Sequence, residues 1–129
     1  MSGKKRLTAV SLFSGCGGLD LGFEAAGYHI LSAHDIDPLA VKNYNANLRP
    51  VATVSDVSSE GFAVPSGVDI VLSGSPCQGF SLVGKRELGD PRNSLLLIAC
   101  RLVASSQPRA ALFENVPGAI VGAHRAIWD

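Results

Sequence analysis

No excess of charge of either sign marks this chain. Its 11 Lys and Arg balance 11 Asp and Glu over 129 residues, and the formal net charge is zero. A stand-alone nucleic-acid-binding domain carries a basic surplus to meet phosphate. If this chain acts on DNA, most of the phosphate-contacting surface must come from elsewhere. Cysteine is also scarce: Cys16, Cys77 and Cys100 are odd in number and widely spaced. They form no C-x-x-C pair, and His29, His34 and His124 complete no ligand pattern, which argues against a metal site. The same scarcity excludes a secreted disulfide framework and fits a reduced, intracellular setting. The basic start, Met1 to Arg6, is followed only by a strand-length apolar segment, so it is not a signal peptide. No segment is long enough to span a membrane. Repeats, linkers and low-complexity tracts are lacking too. What remains, 47% hydrophobic and 17% charged, is the composition of one folded domain.

The apolar runs alternate with helical patterns. Leu7 to Phe13 reads as a strand, and glycines follow at once. Leu19 to Ala26 has helical spacing, with Gly27 where a left-handed C-terminal residue is wanted. Tyr28 to Ala33 reads as a second strand, ending at Asp35. Asp37-Pro38 is an N-cap with a first-turn proline for a helix over Leu39 to Leu48. Val51 to Val54 is a short third strand, with Asp56 at its end. Val68 to Ser73 is a fourth, apolar throughout and expected to be buried on both faces. Asp90-Pro91 repeats the cap signal before a helix over Ser94 to Ser105. Ala110 to Phe113 is a fifth strand, and a further helix is expected from Gly118. This alternation predicts an α/β fold with a mostly parallel sheet. In such sheets ligands bind at the carboxyl ends of the strands, and Gly15, Asp35, Asp56, Cys77 and Glu114 all occupy those ends.

Each of these positions carries its own chemistry. Gly15-x-Gly17-Gly18 is a turn that lets a ligand approach the backbone and opens onto helix N–H groups. The dinucleotide fingerprint wants glycine or alanine at position 20, where Asp20 stands. A compact nucleoside such as S-adenosylmethionine therefore suits the turn better than a pyrophosphate cofactor. A plain strand–helix turn reads equally well, because short glycine motifs are weak signals. Asp35 can accept from ribose hydroxyls and Asp56 can face an adenine amine; taken singly, each reads better as a solvated or capping carboxylate. Cys77 is the sharpest signal. Pro76 and Gly79 bracket it in a loop, and Lys85, Arg86 and Arg92 are near enough in sequence to favour a thiolate nucleophile. Cys100, inside an apolar helix, reads as inert packing. The segment from Gly79 to Gly89 reads as a loop able to close over a substrate. Gly79-Phe80-Ser81 is not a hydrolase elbow, since Val83 stands where glycine is required. Glu114 precedes Asn115-Val116-Pro117. A carboxyl beside a buried nucleophile can stay protonated and donate, though alone Glu114 reads as a surface acid.

Leu12 to Gly18, Pro76-Cys77-Gln78 and Glu114-Asn115-Val116 occur in the order and approximate spacing of the DNA cytosine-5 methyltransferases. From Leu7 to Val121 the chain resembles that family. The resemblance implies a Rossmann-like, S-adenosylmethionine-dependent fold. It implies that Cys77 attacks cytosine C6 and that Glu114 holds or protonates ring N3. Phe13, Gly15 and Gly17 would line the cofactor pocket, with Asp35 at the ribose, Ile36 against the adenine and Asp56 at its amine. Pro76 and Leu95 would complete the wall. Gln78, Ser81, Lys85 and Arg86 would belong to the loop that meets the substrate. No metal is implied. The partner would be DNA, in the bacterial cytoplasm or the nucleus. Ser75 stands where the family often has a bulkier apolar residue, a departure expected to have little consequence. The family continues with a Gln-Arg-Arg type motif and a target-recognition domain. Residues 1–129 are thus expected to be a partial catalytic domain, incomplete at its C-terminus and complemented by a second polypeptide or a longer parent. A truncated, non-catalytic remnant and a portion of a tRNA methyltransferase remain as alternatives.

Overall fold

The computed structural model describes residues 3–76 and 93–117. Over these residues the chain runs β1 (Thr8–Leu12), α1 (Gly18–Ala25), β2 (His29–Asp35), α2 (Pro38–Asn47), β3 (Ala52–Val54), β4 (Ile70–Ser73), α3 (Asn93–Ser106) and β5 (Ala110–Phe113). The strands form one five-stranded sheet in the order β3-β2-β1-β4-β5, and every pairing is parallel. That is the strand order of a doubly wound sheet, with the order reversing between β1 and β4. The helix expected from Gly118 lies outside the described residues.

Alternation along the strands builds two apolar layers. Ala9 of β1 and Ile70 and Leu72 of β4 share one face with Ile30 of β2, packed by Leu19 and Phe23 of α1. Val10, Leu12 and Val71 face the other side, against Ala99, Leu102 and Val103 of α3 and Val57, Val64 and Val68 of the β3–β4 connection. All four residues of β4 are buried, as a strand covered on both faces requires. α2 closes the first layer at its outer end, where Val41 and Tyr44 pack on Ala33 and Ala52. The register between β1 and β2 shifts after Ala9, since Ala9 pairs with Ile30 and Val10 with Ser32. Leu31 is the extra residue and is correspondingly exposed.

The helix starts follow from local chemistry. Asp37 Oδ1 accepts the Leu39 N–H at 2.9 Å, and Pro38 occupies the first turn of α2, where no N–H is missed. α1 starts differently. Its N-cap is Gly17, left-handed at φ 93°, with no side-chain cap. A Cβ there would lie 2.7 Å from the Tyr44 ring, so only glycine lets α2 come this close to the start of α1.

One level below lies a buried polar knot. Asp20, in the first turn of α1, is fully buried. Ser11 Oγ of β1 and Tyr44 OH of α2 each donate to its carboxylate at 2.6 Å. Burial raises the Asp20 carboxyl pKa, opposed by these two hydrogen bonds, and burial likewise pushes the Tyr44 phenol up. Three elements are thus pinned to one side chain directly behind the glycine turn.

Candidate functional site

A cavity of about 290 Å³ opens at the carboxyl ends of the strands. Its walls come from four successive strand exits and one helix. Phe13 and Gly15 follow β1; His34, Asp35 and Ile36 end β2; Ser55, Asp56 and Val57 follow β3; Gly74 and Pro76 follow β4; Leu95 comes from α3. Parallel strands deliver their ends to one place, so residues as distant in sequence as Phe13 and Pro76 meet without any special device.

The β1 exit is bent to fit. Phe13 has φ 53°, left-handed for a bulky aromatic, and Gly15 has φ 54°. The Phe13 side chain is packed against the α3-side core, which holds the strained residue in place. The turn is tied to β2 twice. Ser14 N–H donates to the His34 carbonyl at 3.0 Å, and Gly15 N–H donates to Asp35 Oδ2 at 2.8 Å. Asp35 Oδ1 meanwhile accepts from the Asp37 N–H at 2.9 Å. Asp35 and Asp37 therefore divide their work: Asp37 caps α2, and Asp35 faces the cavity and holds its floor. Asp56 accepts from both the backbone N–H and the hydroxyl of Ser58 through Oδ1. Those bonds hold its carboxyl below the usual carboxylate range. Ile36 is 66% exposed and forms an apolar lip over the opening.

His34 is a wall residue that the sequence reading did not single out. Its ring nitrogens meet Ser55 Oγ and Ser32 Oγ, each at 3.0 Å, and its ring stands edge-on to Phe62 at 4.9 Å. Burial lowers its pKa, which favours the uncharged ring, and two hydroxyls hold the imidazole in the cavity wall. The only signal for it was its position, one residue before Asp35 at a strand end. Ser55, Val57 and Gly74 were missed for the same reason: their neighbours carried the more conspicuous chemistry.

Not every expected residue comes to this cavity. Gly17 lines none of it, because its backbone is turned to Tyr44 and serves the start of α1. Glu114 stands at the β5 exit, its N–H donating to the Ser73 carbonyl at 2.9 Å. It is exposed rather than buried, since β5 is the sheet edge among the described residues. Cys77, Gln78, Ser81, Lys85 and Arg86 lie outside the described residues. Cys100 packs with Leu96, and burial raises its thiol pKa, as expected of an inert core cysteine.

The family model of the C-5 cytosine-specific DNA methylases matches residues 7–129. The chain belongs to this family. Among curated members, it is 43% identical to the type II methyltransferase M.XorII of Xanthomonas oryzae pv. oryzae, over 93% of this chain and 30% of that protein. Among solved structures, it matches a prophage-encoded E. coli protein assigned as a DNA modification methyltransferase. There the TM-score is 0.76 and the identity 33%, over 95% of this chain and 35% of the other. It also matches the S. pombe Dnmt2 methyltransferase, with a TM-score of 0.71 and 25% identity, over 95% of this chain and 40% of that one. The sheet and helices described above are thus the Rossmann-like methyltransferase fold. The chain spans about a third of the length of the first curated relative it matches. Among the described residues, no helix is long and apolar enough to cross a membrane.

Proposed function

We propose that residues 1–129 form the cofactor-binding and nucleophile-bearing portion of a DNA cytosine-5 methyltransferase that uses S-adenosylmethionine. The observation that carries this reading is the cavity. Seven of the eight residues expected at the cofactor, Phe13, Gly15, Asp35, Ile36, Asp56, Pro76 and Leu95, line one space. Its volume sits at the low end of the range for small-molecule sites, roughly 300–1,000 Å³. The donor set fits a nucleoside. Asp35 offers a carboxylate to ribose hydroxyls, Asp56 accepts from an exocyclic amine, and Ile36 with Phe13 provides apolar cover for a planar base. In the glycine turn, Gly15 N–H is already given to Asp35. When bound, S-adenosylmethionine supplies a methyl group on a sulfonium, an electrophile that carbon can attack.

The remaining steps belong to the chain's own residues and the base. Cytosine C5 is a poor nucleophile, and its ring cannot be reached while stacked, so the base is flipped out. The Cys77 thiolate adds to C6, forming the S–C6 bond and pushing electron density to C5. Glu114 holds ring N3 and the exocyclic amine, and stabilises the charge that reaches N3. The enamine-like C5 would then be the carbon nucleophile for a sulfonium methyl, whose bonding pair would stay with sulfur as a neutral thioether. Loss of the C5 proton to a base expels Cys77 and restores the ring. Glu114 is exposed in the absence of substrate; an entering base would supply the apolar cover that a proton-donating carboxyl needs. Target recognition and most phosphate contact fall to a segment beyond this one, on the same or a second polypeptide, which agrees with the zero net charge.

The test is transfer of labelled methyl groups to mixed-sequence DNA, by the chain alone and with a downstream family half. Transfer that Cys77→Ala abolishes, with cofactor binding retained, is the expected result. Glu114→Gln is expected to slow transfer severely. Turnover by Cys77→Ala would remove the nucleophile assignment. No transfer to DNA in either preparation, with transfer to RNA instead, would replace the substrate.

A further inference from the structure

Beyond the last rung of the β4–β5 ladder, one side-chain bond joins the two strand exits. The ladder pairs Ser73 with Phe113, and Glu114 N–H donates to the Ser73 carbonyl at 2.9 Å. Two residues further along each chain, Ser75 comes opposite Asn115, as the strand period of two requires. Asn115 Nδ2 donates to Ser75 Oγ at 3.3 Å, and Ser75 is only 4% exposed. Asn115 Oδ1 accepts from the Val116 N–H at 2.8 Å. The amide is therefore used at both ends. Its oxygen fixes the turn after Glu114, and its nitrogen reaches across to the segment that leads into Cys77.

The bond has no place in the cofactor wall. Gly74 and Pro76 line the cavity, but neither Ser75 nor Asn115 does. What it joins are the approaches to two groups that must act on one ring. Cys77 lies two residues after Ser75, and Glu114 immediately precedes Asn115. Backbone hydrogen bonds hold the two strands in register only up to Ser73 and Glu114. Past that point, among the described residues, the Asn115–Ser75 bond ties the two segments across the gap.

We propose that Ser75 and Asn115 are a positioning pair that fixes the spacing between the Cys77 segment and Glu114. The proposal rests on the roles given to Cys77 and Glu114 above. The buried hydroxyl at position 75 is then a functional choice. A larger apolar side chain can fill the same space but offers Asn115 nothing to bind, and would have to position the loop by packing alone. Misplacement of a reacting group by about 1 Å can cost on the order of a hundredfold in rate, so a weak bond at this point has leverage out of proportion to its strength.

The test is a double-mutant cycle of Ser75→Ala, Asn115→Ala and the pair. Ser75→Thr serves as the conservative variant and Cys77→Ala as the control. Unfolding of the chain reads whether the two side chains are coupled. Methyl transfer and trapping of the covalent adduct on 5-fluorocytosine DNA are read in the preparation that transfers methyl groups. Each single variant should lower kcat and adduct yield by about tenfold, with the double variant no worse than either. KM for the cofactor should stay within about twofold, and Ser75→Thr should recover most of the rate. Absence of coupling, additive losses, or a loss confined to KM would overturn the proposal. A dead Cys77→Ala beside a fully active Ser75→Ala would overturn the pair and leave the nucleophile standing. An active Cys77→Ala, or a wild type without transfer, would bring down the functional reading and the pair with it.

Discussion

Asp35 accepts two backbone N–H groups, one on each oxygen, from the glycine turn and from the entry to α2. Its carboxylate thus holds the cavity floor before any ligand arrives, and has further lone pairs for a ribose. Asp35→Ala should therefore weaken S-adenosylmethionine binding by more than one lost hydrogen bond. A loss of about tenfold or more is expected, since bonds to charged groups contribute about 1.5–3 kcal/mol. Isothermal titration of the chain with the cofactor checks this, and Asp37→Ala is the useful comparison. Removing the Asp37 cap should lower stability by about 1 kcal/mol and leave affinity nearly unchanged. Both acids were visible in the sequence, and the proline after Asp37 marked it as the helix cap that the structure shows. Asp20 was visible only as the residue that spoils a dinucleotide fingerprint. Nothing in its neighbours predicts that Ser11 and Tyr44 will bury it.

At the scale of elements, the start of α1 shows how a turn is held from behind. Gly17 admits the Tyr44 ring of α2, and the Tyr44 hydroxyl reaches past it to Asp20. The consequence is a particular dependence of stability on pH. Burial raises the folded-state pKa of Asp20 above its unfolded value. Its contribution is thus fully present below the unfolded value and is lost as pH rises through the raised folded one. Asp56 and Asp69 act with the opposite sign. Hydrogen bonds from Ser58 and Thr8 lower their pKa values, so their contributions are lost as pH falls through the folded values. The difference between wild type and Asp20→Asn isolates the first effect. In urea unfolding across pH, the stability of wild type relative to Asp20→Asn should fall as pH rises past the ordinary carboxylate range. A flat difference would mean that the hydrogen bonds from Ser11 and Tyr44 offset the effect of burial on the Asp20 carboxyl.

At the scale of the whole molecule, the sheet places its chemistry at one end, and the chain as a whole is balanced in charge. With zero net charge, the chain carries no basic surplus of the kind on which DNA affinity and its salt dependence rest. Fluorescence anisotropy should therefore find weak binding of duplex DNA by the chain alone, with a shallow salt slope. Adding a complementing half should raise affinity and steepen the slope. Tight binding with a steep slope by the chain alone would show that its own surface reads the backbone.

Element order, strand ends and most of the cavity wall were legible in the sequence, because a parallel α/β sheet converts periodicity and turn residues into position. Once Phe13, Asp35, Asp56 and Pro76 are known to end or follow parallel strands, their convergence follows. Contacts between elements were not legible, because they depend on which side chains happen to oppose one another after packing. Gly17 looked like a partner of Gly15 at a ligand and became a notch for Tyr44. His34 became a cavity wall through two serines, one on a neighbouring strand exit. Ser75 looked like a neutral departure and met Asn115 across the gap between β4 and β5. The sequence by itself determined which chemistry gathers at the carboxyl edge, since local pattern sets where strands end. Only the tertiary structure decided which residues brace that edge, since a hydrogen bond between distant side chains exists only once the sheet has set their distance.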